Sequence, residues 1–397
     1  MKILFVSAVL PYPLYSGGQV RVYNLLLRLS ADHEITLVTF LRERDEARYE
    51  KNLAFCKKII TAYRGHAWNF GYVSRSLLGK FPLLLASYDH AVLRNTVAHE
   101  LSGGGYDLVH IEPWYAFSSI PETDTPRVQA THNIEYDIYA EYVRRLGISP
   151  LRLGYRFDVA KLRYWERRIW KRAAHVIAVS EDDAEIIRKT VGVHPSVTVV
   201  PNGVDVRAFQ MRTRKKIESP VFLFLGSFTW MQNRDAVEWL GTEIWPLLRV
   251  KYPRAILRVV GRGMSRRLKR RLTDPSILLL DHVEHIEDEL HSSDVLIAPI
   301  RIGGGTSFKI LEAMASGLPV VTTSLGALGL AVSDRKDIMI GDSKEEIVNA
   351  VAALLASDSL RLNIARTARK KIERAYAWDG IAGTLERVWY ETAKTKI

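Results

Sequence analysis

Short apolar runs alternate with longer segments of helical periodicity along the whole chain. The runs are rich in β-branched residues and carry hydrophobic side chains at successive positions, which is typical of strands covered by helices on both faces. This alternation predicts β-α-β units with parallel sheets. The predicted strands form two series: Ile3–Ser7, Glu34–Thr39, Leu108–Ile111, Arg127–Thr131 and His175–Val179, then Val221–Gly226, Ile256–Gly261, Ile277–Leu280, Val295–Pro299 and Pro319–Thr322.

A polar, basic stretch separates the two series. The sequence PNGVD at 201–205 leads into MRTRKKIESP at 211–220. Asn-Gly and a lysine-arginine cluster before proline mark a turn and an exposed linker. The predicted domains are residues 1–205, residues 206–376 and a closing helix over 377–397.

Composition narrows the class of protein. The chain has 397 residues, a net charge of +12 and one cysteine, Cys56. One cysteine cannot form an internal disulfide, and no apolar run approaches the ~20 residues that a membrane-spanning helix needs. The first apolar run stops at Leu10 without a small-residue cleavage site, so we interpret it as a strand and expect a cytoplasmic protein.

The basic excess favours a polyanionic partner of some kind. Nucleic acid is one option, but no zinc spacing, RNA-binding strand signature or continuous basic block supports it. We therefore expect no nucleic-acid partner.

A glycine pair follows the first predicted strand. Gly17 and Gly18 lie in SGGQ, directly before the helical pattern VRVYNLLLRL. Glycines at the start of a helix let the backbone approach a ligand phosphate, and the helix N-terminus supplies unpaired N–H groups. The pair indicates a phosphate or sugar site, although a plain tight turn explains it equally well, because the full dinucleotide-binding pattern is missing.

The most informative segment is IRIGGGTSFKILEAMASGLP at 300–319. Three glycines at the exit of a strand indicate unusual dihedral angles or a closely approaching ligand. A helix is predicted directly after them, over Thr306–Ser316. Glycine N–H groups and a helix N-terminus together predict a diphosphate site.

Two charged residues share one face of that helix. Lys309 and Glu312 are three positions apart, so they could form an ordinary surface ion pair. Alternatively, Lys309 faces phosphate charge and Glu312 binds two sugar hydroxyls, because a carboxylate accepts two hydrogen bonds side by side. The glycines before them favour the second interpretation.

Several motifs occur in a recognisable order along the chain. They are SGGQ at 16–19, THN at 131–133, VIAVSE at 176–181, VVPNGVD at 199–205, FLGSF at 224–228, GGGTSFKILEAMASGLPVV at 303–321 and YAWDGIA at 376–382. This order resembles that of a family 4 glycosyltransferase over nearly the whole chain. The resemblance implies an α/β GT-B fold: two doubly wound Rossmann-like domains facing across a cleft, with the C-terminal helix crossing back to the first domain.

The same resemblance implies an activity. The C-terminal domain would hold a nucleotide-sugar donor, the N-terminal domain would hold the acceptor, and a hexosyl group would be transferred with retention at the anomeric carbon. The leaving phosphate would then take the acceptor proton on the same face, without a protein nucleophile.

Site residues follow from the resemblance position by position. It places Gly17 and Gly18 at the donor diphosphate and acceptor, His132 beside the transferred sugar, Glu312 at the ribose and the backbone of Val283 at the base. The catalytic candidates are His132, Lys309 and Glu312. The donor-binding candidates are Gly17, Gly18, Asn202, Gly226, Ser227, Gln232, Arg234, Arg262, Val283, Gly303, Gly304, Gly305 and Thr306.

The chain also departs from the family pattern. The first of two signature glutamates is replaced by Gly304, and an arginine and a lysine that ordinarily stabilise the leaving diphosphate are replaced by Ser227 and Gln232. Other cations must replace them if the donor mode is kept. The substitutes that we consider are Lys309 and Arg234 first, then Arg301 and Arg262.

No metal or cofactor is expected. The sequence has no Asp-x-Asp triplet and no His/Cys cluster at zinc spacing. Helix dipoles and cations would neutralise the diphosphate instead.

The acceptor is indicated by two basic, aromatic segments of the N-terminal domain, Trp68–Lys80 and Tyr139–Arg163. Basic amphipathic surface can bind anionic lipid headgroups, while core packing and solubility explain the same residues equally well. The resulting hypothesis is a peripheral protein on the cytoplasmic face of the membrane, with a glycan or lipid-linked acceptor in cell-envelope or exopolysaccharide biosynthesis.

Two other functions stay open. A nucleotide-sugar epimerase of the same fold would act on the donor without an acceptor. A catalytically silent sugar-nucleotide or glycan-binding protein would explain the departures at Ser227, Gln232 and Gly304. UDP- and GDP-sugars are both open as donors.

Overall fold

The computed structural model describes residues 1–66, 69–145, 151–211, 217–303 and 305–394. These form an N-terminal unit, Met1–Pro201 with Ile381–Ile397, and a C-terminal unit, Asn202–Gly380. The chain changes unit four residues before the predicted boundary at 205, and again inside the last helix. Parts of several predicted features lie outside the described residues: Gly304, Trp68, residues 146–150 of the second basic segment, residues 212–216 of the linker and residues 395–397 of the closing helix.

The N-terminal unit contains one parallel sheet. Its strands are β1 (Lys2–Ser7), β2 (Glu34–Leu41), β3 (Lys58–Tyr63), β4 (Leu108–Glu112), β5 (Arg127–Thr131), β6 (His175–Ala178) and β7 (Ser196–Val199). Within the described residues they are ordered β3-β2-β1-β4-β5-β6-β7. The central strands are apolar on both faces because helices cover both sides, as their continuous burial shows.

The helices of the N-terminal unit follow the strands in the predicted alternation. They are α1 (Gly17–Leu29), α2 (Phe70–Leu78), α3 (Leu83–Ala86), α4 (Ala91–Gly104), α5 (Glu135–Arg145), α6 (Leu151–Trp170) and α7 (Glu181–Val191), with 3₁₀ turns at Arg44–Leu53 and Trp114–Ser119. Helix α1 begins after Ser16, whose hydroxyl caps the backbone N–H of Gln19. The glycine pair therefore forms the first turn of α1.

The C-terminal unit repeats the plan with a second parallel sheet. Its strands are β8 (Val221–Leu225), β9 (Ile256–Val260), β10 (Ile277–Leu280), β11 (Val295–Ala298), β12 (Val320–Thr322) and β13 (Met339–Ile340). Within the described residues they are ordered β10-β9-β8-β11-β12-β13. Its helices are α8 (Met231–Trp239), α9 (Trp245–Lys251), α10 (Arg266–Arg271), α11 (Ile286–Ser292), α12 (Phe308–Ala315), α13 (Lys344–Ala356) and α14 (Asp358–Ala375), with a π turn at Leu240–Ile244 joining α8 to α9.

The last helix, α15 (Trp378–Lys394), returns to the N-terminal unit from Ile381 onward, which confirms the prediction. Its Leu385 and Trp389 are fully buried. The Trp389 indole N–H donates to His110 Nδ1 of β4 at 3.1 Å. Helix α15 is therefore part of the N-terminal core.

The strand order reverses once in each sheet, between β1 and β4 and between β8 and β11. In open α/β sheets, ligands bind outside the carboxyl ends of the strands at such a reversal. The glycine loops after β1 and β11 lie at these two places, which makes them the natural candidate sites.

The predicted strands are confirmed to within a few residues, but the sequence did not predict β3, β7 and β13. All three lie at the edge of a sheet. β3 and β7 are only partly buried and mix polar with apolar residues, and β13 has two residues, so each lacks the continuous apolar run that made β10, also at an edge, recognisable.

One further property concerns membranes. Among the described helices, no single one is long and apolar enough to cross a bilayer. Helices α13 and α14 taken together have the length and composition of a spanning segment, but the chain bends by 104° between them.

Candidate functional site

The glycine loop of the C-terminal unit has the conformation that its sequence predicts. Gly303 and Gly305 have φ angles of 110° and 79°, a region that favours glycine. A Cβ atom on Gly303 would lie 3.7 Å from Cβ of Gln232, so the loop packs against the start of α8. The structure thereby brings the loops after β8 and β11 together.

A buried hydroxyl lies in the same loop. Thr306 is 8% exposed, and its Oγ1 has no hydrogen-bond partner among the described residues. Helix α12 then begins at Phe308, two residues later than predicted. The Thr306 hydroxyl is therefore a buried polar group whose hydrogen-bonding capacity no described residue uses.

Lys309 points back to α8 instead of pairing with Glu312. Its Nζ donates to Oδ1 of Asn233 at 2.5 Å, and Nδ2 of Asn233 donates to the Ser227 carbonyl at 2.8 Å. Nζ also lies 4.8 Å from the ring centre of Phe224. Burial lowers the pKa of Lys309 to about 7. The amine is therefore held by one neutral amide in an apolar setting, where an anionic ligand would stabilise its charged form.

Glu312 lies one turn further along α12. Burial, together with the nearby Glu287 carboxylate of α11, raises the pKa of Glu312 to about 8. Its side chain makes no hydrogen bond to another described residue. A half-buried carboxyl group with a raised pKa can accept hydrogen bonds from ligand hydroxyls, and it can donate one when it is protonated.

Arg234 and Arg301, two of the three arginines considered as substitutes, make structural contacts. Nη1 of Arg234 donates to the carbonyls of Phe228 and Thr229 at 3.0 and 2.9 Å, which closes the loop after β8. Arg301 forms a two-pronged ion pair with Asp235. Both guanidinium groups are therefore engaged by other residues of the C-terminal unit, whereas Lys309 contacts a neutral amide.

The remaining donor-binding candidates surround the same strand ends. A Cβ on Gly226 would lie 2.8 Å from Cγ of Asn233, which requires glycine there. The Ser227 hydroxyl lies 2.7 Å from that of Thr229. Arg262 is exposed after β9, and Val283 is half-buried after β10. Asn202 is buried at the start of the C-terminal unit.

In the N-terminal unit, the first turn of α1 is open. A Cβ on Gly18 would meet no atom within 4 Å. There is therefore open space beside Gly18 in the first turn of α1, where a phosphate or a sugar could approach the helix N-terminus.

His132 follows β5 and belongs to a buried cluster that the sequence did not predict. Its Nε2 lies 2.8 Å from Oε1 of Glu112. The same carboxylate pairs with Arg21 of α1 and with His110 Nε2, the latter at 2.8 Å. Arg21 also donates to the carbonyl of Pro201 at 2.7 Å. One carboxylate therefore joins α1, β4, the residue after β5 and the end of the unit.

The charge of this cluster is set by its contacts. Burial by itself raises the pKa of Glu112, but the Arg21 charge and the hydrogen bonds from His110 and His132 outweigh it and hold the pKa well below its ordinary value. Burial lowers the pKa of His110. Glu112 is thus an ionised carboxylate inside the unit.

Four contributors were missed by sequence reasoning: Arg21, Glu112, Asn233 and Glu287. Glu112 had a signal, because it ends a strand in DLVHIEP, where α/β sheets place ligands. The others make contacts over separations of up to 180 residues, which one sequence does not reveal.

No metal site is evident in the described part of the chain. It contains no group of three or more His, Cys, Asp or Glu side chains placed to hold an ion.

Two Rossmann-like units, each with a glycine loop at the reversal of its sheet, define a protein of the GT-B fold class. Residues 15–208 match the family described as Glycosyltransferase Family 4, and residues 219–357 match Glycosyl transferases group 1. Together these matches cover most of the chain. The protein belongs to the group 1, family 4 glycosyltransferases.

Similar proteins carry related names. A phosphatidyl-myo-inositol mannosyltransferase of Mycolicibacterium smegmatis is 29% identical over 202 residues, which is 49% of this chain and 51% of that protein. Sucrose-phosphate synthase of Thermosynechococcus elongatus is 17% identical, with a TM-score of 0.74 and 98% of each chain covered. The Anabaena protein HepE, solved in complex with UDP-glucose, is 15% identical, with a TM-score of 0.65 over 98% of this chain and 100% of that one. These structures show the fold.

Stability should depend on pH through Glu312. Its folded-state pKa of about 8 exceeds the ordinary value of 4.5, so the folded protein keeps a proton that the unfolded chain loses. The free energy of unfolding should therefore fall as pH rises from about 5 to about 7, by at most ~1.4 kcal/mol per pH unit. Lys309 contributes an opposite slope only above about pH 7.

We expect Glu312→Gln to reduce this slope without abolishing it, because burial also raises the pKa of Glu135 and of Glu166. Denaturant titration at several pH values measures the change. The exposed residue Glu284 provides the matched control, and Glu284→Gln should keep the wild-type slope. Parallel curves for wild type and Glu312→Gln would show that Glu312 titrates normally.

Proposed function

We propose that the protein is a retaining hexosyltransferase that moves a sugar from a UDP- or GDP-sugar to a glycan or lipid-linked acceptor, in cell-envelope or exopolysaccharide biosynthesis. The observation that carries this proposal is the loop after β11. It combines left-handed Gly303 and Gly305, the unpartnered hydroxyl of Thr306 and the half-buried amine of Lys309. N–H donors, a hydroxyl and one adaptable cation are what a leaving diphosphate needs.

The donor half of the proposal rests on the C-terminal unit. Lys309 takes over the charge that Ser227 and Gln232 do not supply, and Glu312 binds ribose hydroxyls. The complex of HepE with UDP-glucose supports a uridine donor, because that protein has a similar fold.

The chemical step needs no protein nucleophile. The bond between the anomeric carbon and the phosphate oxygen breaks, the acceptor oxygen bonds to the same face of that carbon, and the acceptor proton passes to the departing phosphate. Glycine N–H groups and Lys309 stabilise the charge on the diphosphate. His132 of the N-terminal unit orients a substrate hydroxyl.

The acceptor half rests on one surface of the N-terminal unit, which we call the basic face. It comprises exposed apolar residues of α2 and α6 together with the cations of α6 and of the two residues that follow it. Nζ of Lys161 joins the two helices through the carbonyls of Ser76 and Gly79, at 2.6 and 2.7 Å. The exposed members are Phe70, Leu77, Leu78, Leu153, Arg156, Phe157, Arg163, Arg168, Lys171 and Arg172.

The cations of α6 line a surface depression of about 740 Å³. Apolar side chains flanked by cations suit an anionic lipid surface. The mycobacterial relative, named for phosphatidyl-myo-inositol, supports a lipid-linked acceptor. We propose that the enzyme binds peripherally at the cytoplasmic face of the membrane.

Lys309→Gln should weaken donor binding. Losing a charge-assisted contact to phosphate raises the dissociation constant by roughly 10- to 100-fold. Calorimetry against a panel of UDP- and GDP-sugars measures this, with Lys344→Gln as a control at an exposed lysine of the same unit. Wild-type affinity should also decline as pH rises above about 7, because the amine must then take up a proton to bind. Equal affinities for wild type and Lys309→Gln would rule out this role.

Transfer should be unaffected by chelator. Since Lys309 and glycine N–H groups neutralise the diphosphate, initial rates with and without EDTA should agree. A rate that collapses with EDTA and recovers with magnesium or manganese contradicts this. Incubation with donor alone tests the alternatives, because an epimerase converts it without acceptor and a silent binding protein never turns over.

Binding to vesicles tests the basic face. The double variant Leu78→Ser/Phe157→Ser should reduce co-sedimentation with phosphatidylglycerol vesicles by about tenfold or more at low salt, because both side chains are exposed and apolar. Val250→Ser, at a residue that is 84% exposed in the C-terminal unit, is the matched control and should bind as wild type does. If the wild-type protein does not co-sediment with anionic vesicles at low salt, the membrane proposal is excluded.

A further inference from the structure

A continuous chain of hydrogen bonds leads from the last helix to His132. Trp389 Nε1 lies 3.1 Å from His110 Nδ1, and His110 Nε2 lies 2.8 Å from Glu112 Oε2. Glu112 Oε1 lies 2.8 Å from His132 Nε2. Trp389, His110 and Glu112 are fully buried, whereas the side chain of His132 is 17% exposed. The chain therefore begins in the core and ends at the one member that a ligand can reach.

The proton positions follow from donor and acceptor rules. An indole nitrogen only donates, so Nδ1 of His110 must accept and carries no proton. The proton of His110 is therefore on Nε2, which donates to Glu112. Phe5 stacks on the His110 ring at a centroid distance of 4.4 Å and holds its plane. His110 is thus a neutral imidazole of fixed tautomer.

The same reasoning extends to His132. Glu112 is ionised beside Arg21, so both of its oxygens only accept. Nε2 of His132 must then carry a proton and donate it to Glu112. The other ring nitrogen, Nδ1, is left as the atom that can meet a substrate.

We propose that Glu112 is a positioning residue that fixes His132 in the Nε2–H tautomer, and that Trp389 supports it through His110. His132 then offers Nδ1 as a hydrogen-bond acceptor, which selects a substrate hydroxyl that donates. The identity of the substrate in this inference rests on the proposed function. The tautomer of His132 does not, because it is set by Glu112 whether or not a substrate is bound. Helix α15 thereby contributes to the site, because its Trp389 supplies the first donor of the hydrogen-bond chain that ends at His132.

Arg21 ties this arrangement to the glycine pair. It lies on α1, four residues after Gly17, and binds both Glu112 and the carbonyl of Pro201. The position of His132 and that of the open first turn of α1 are therefore set by the same carboxylate.

The first test is nitrogen NMR of histidine-labelled protein without substrate, at about pH 8, where imidazoles are ordinarily neutral. We expect His132 and His110 each to carry the proton on Nε2, with the resonances assigned by His132→Gln and His110→Gln. A proton on Nδ1 of His132 in the wild type would overturn the proposal.

The second test uses variants of the supporting residues. Glu112→Gln should give His132 a mixture of tautomers and lower kcat by roughly 10- to 100-fold, with the donor KM within about threefold. A folded Glu112→Gln protein with the wild-type tautomer and wild-type kcat would refute the role of Glu112.

If Glu112→Gln does not fold, Trp389→Phe tests the same hydrogen-bond chain. It removes one N–H and keeps an aromatic ring, and Trp245→Phe is its control, because Trp245 is also buried and donates to Ser276 Oγ at 3.1 Å in the C-terminal unit. We expect Trp389→Phe to lower kcat by about three- to tenfold and to reduce the Nε2–H population of His110, while Trp245→Phe stays within about twofold of wild type. Equal kcat values for the two variants would count against the proposal.

If the tautomers are as stated and no nucleotide sugar is turned over, the proposed function fails and the positioning role of Glu112 stands.

Discussion

A carboxylate buried inside a protein is tolerated only when cations and hydrogen-bond donors compensate for its lost hydration, and this constraint organises the N-terminal unit around Glu112. Arg21, His110 and His132 supply the compensation from three separate elements. Removing any one of them would leave charge or polar atoms unpaired in the core. The glycine turn of α1, the end of β5 and helix α15 are thereby held in one arrangement.

The C-terminal unit follows the opposite strategy. Its Lys309 is buried against a neutral amide and an aromatic ring, and burial lowers its pKa to about 7. Nearby, Glu312 has a raised pKa of about 8. The two groups attract each other, but burial outweighs that attraction in both, so a ligand that brings phosphate and hydroxyl groups would complete this site. The charges of the cluster in the N-terminal unit are therefore balanced within the protein, whereas those in the C-terminal unit would be balanced by a bound ligand.

Sequence patterns predicted the central strands and the glycine loops because both depend on local chemistry. A central parallel strand is apolar on both faces, and left-handed Gly303 and Gly305 need glycine wherever they occur. The edge strands β3, β7 and β13 escaped prediction because partial burial leaves a weaker pattern. Asn233 and Glu112 escaped for another reason: their roles come from partners distant in the sequence, 76 residues from Lys309 and 91 residues from Arg21.

The most direct measurement of the central claim is the stereochemistry of one turnover. Proton NMR of the reaction with a UDP- or GDP-sugar and a lipid-linked acceptor follows the anomeric signal while nucleoside diphosphate is released. The account predicts one nucleoside diphosphate per sugar transferred and a product with the anomeric configuration of the donor. An inverted anomer, or a changed sugar still attached to its nucleotide, would contradict it.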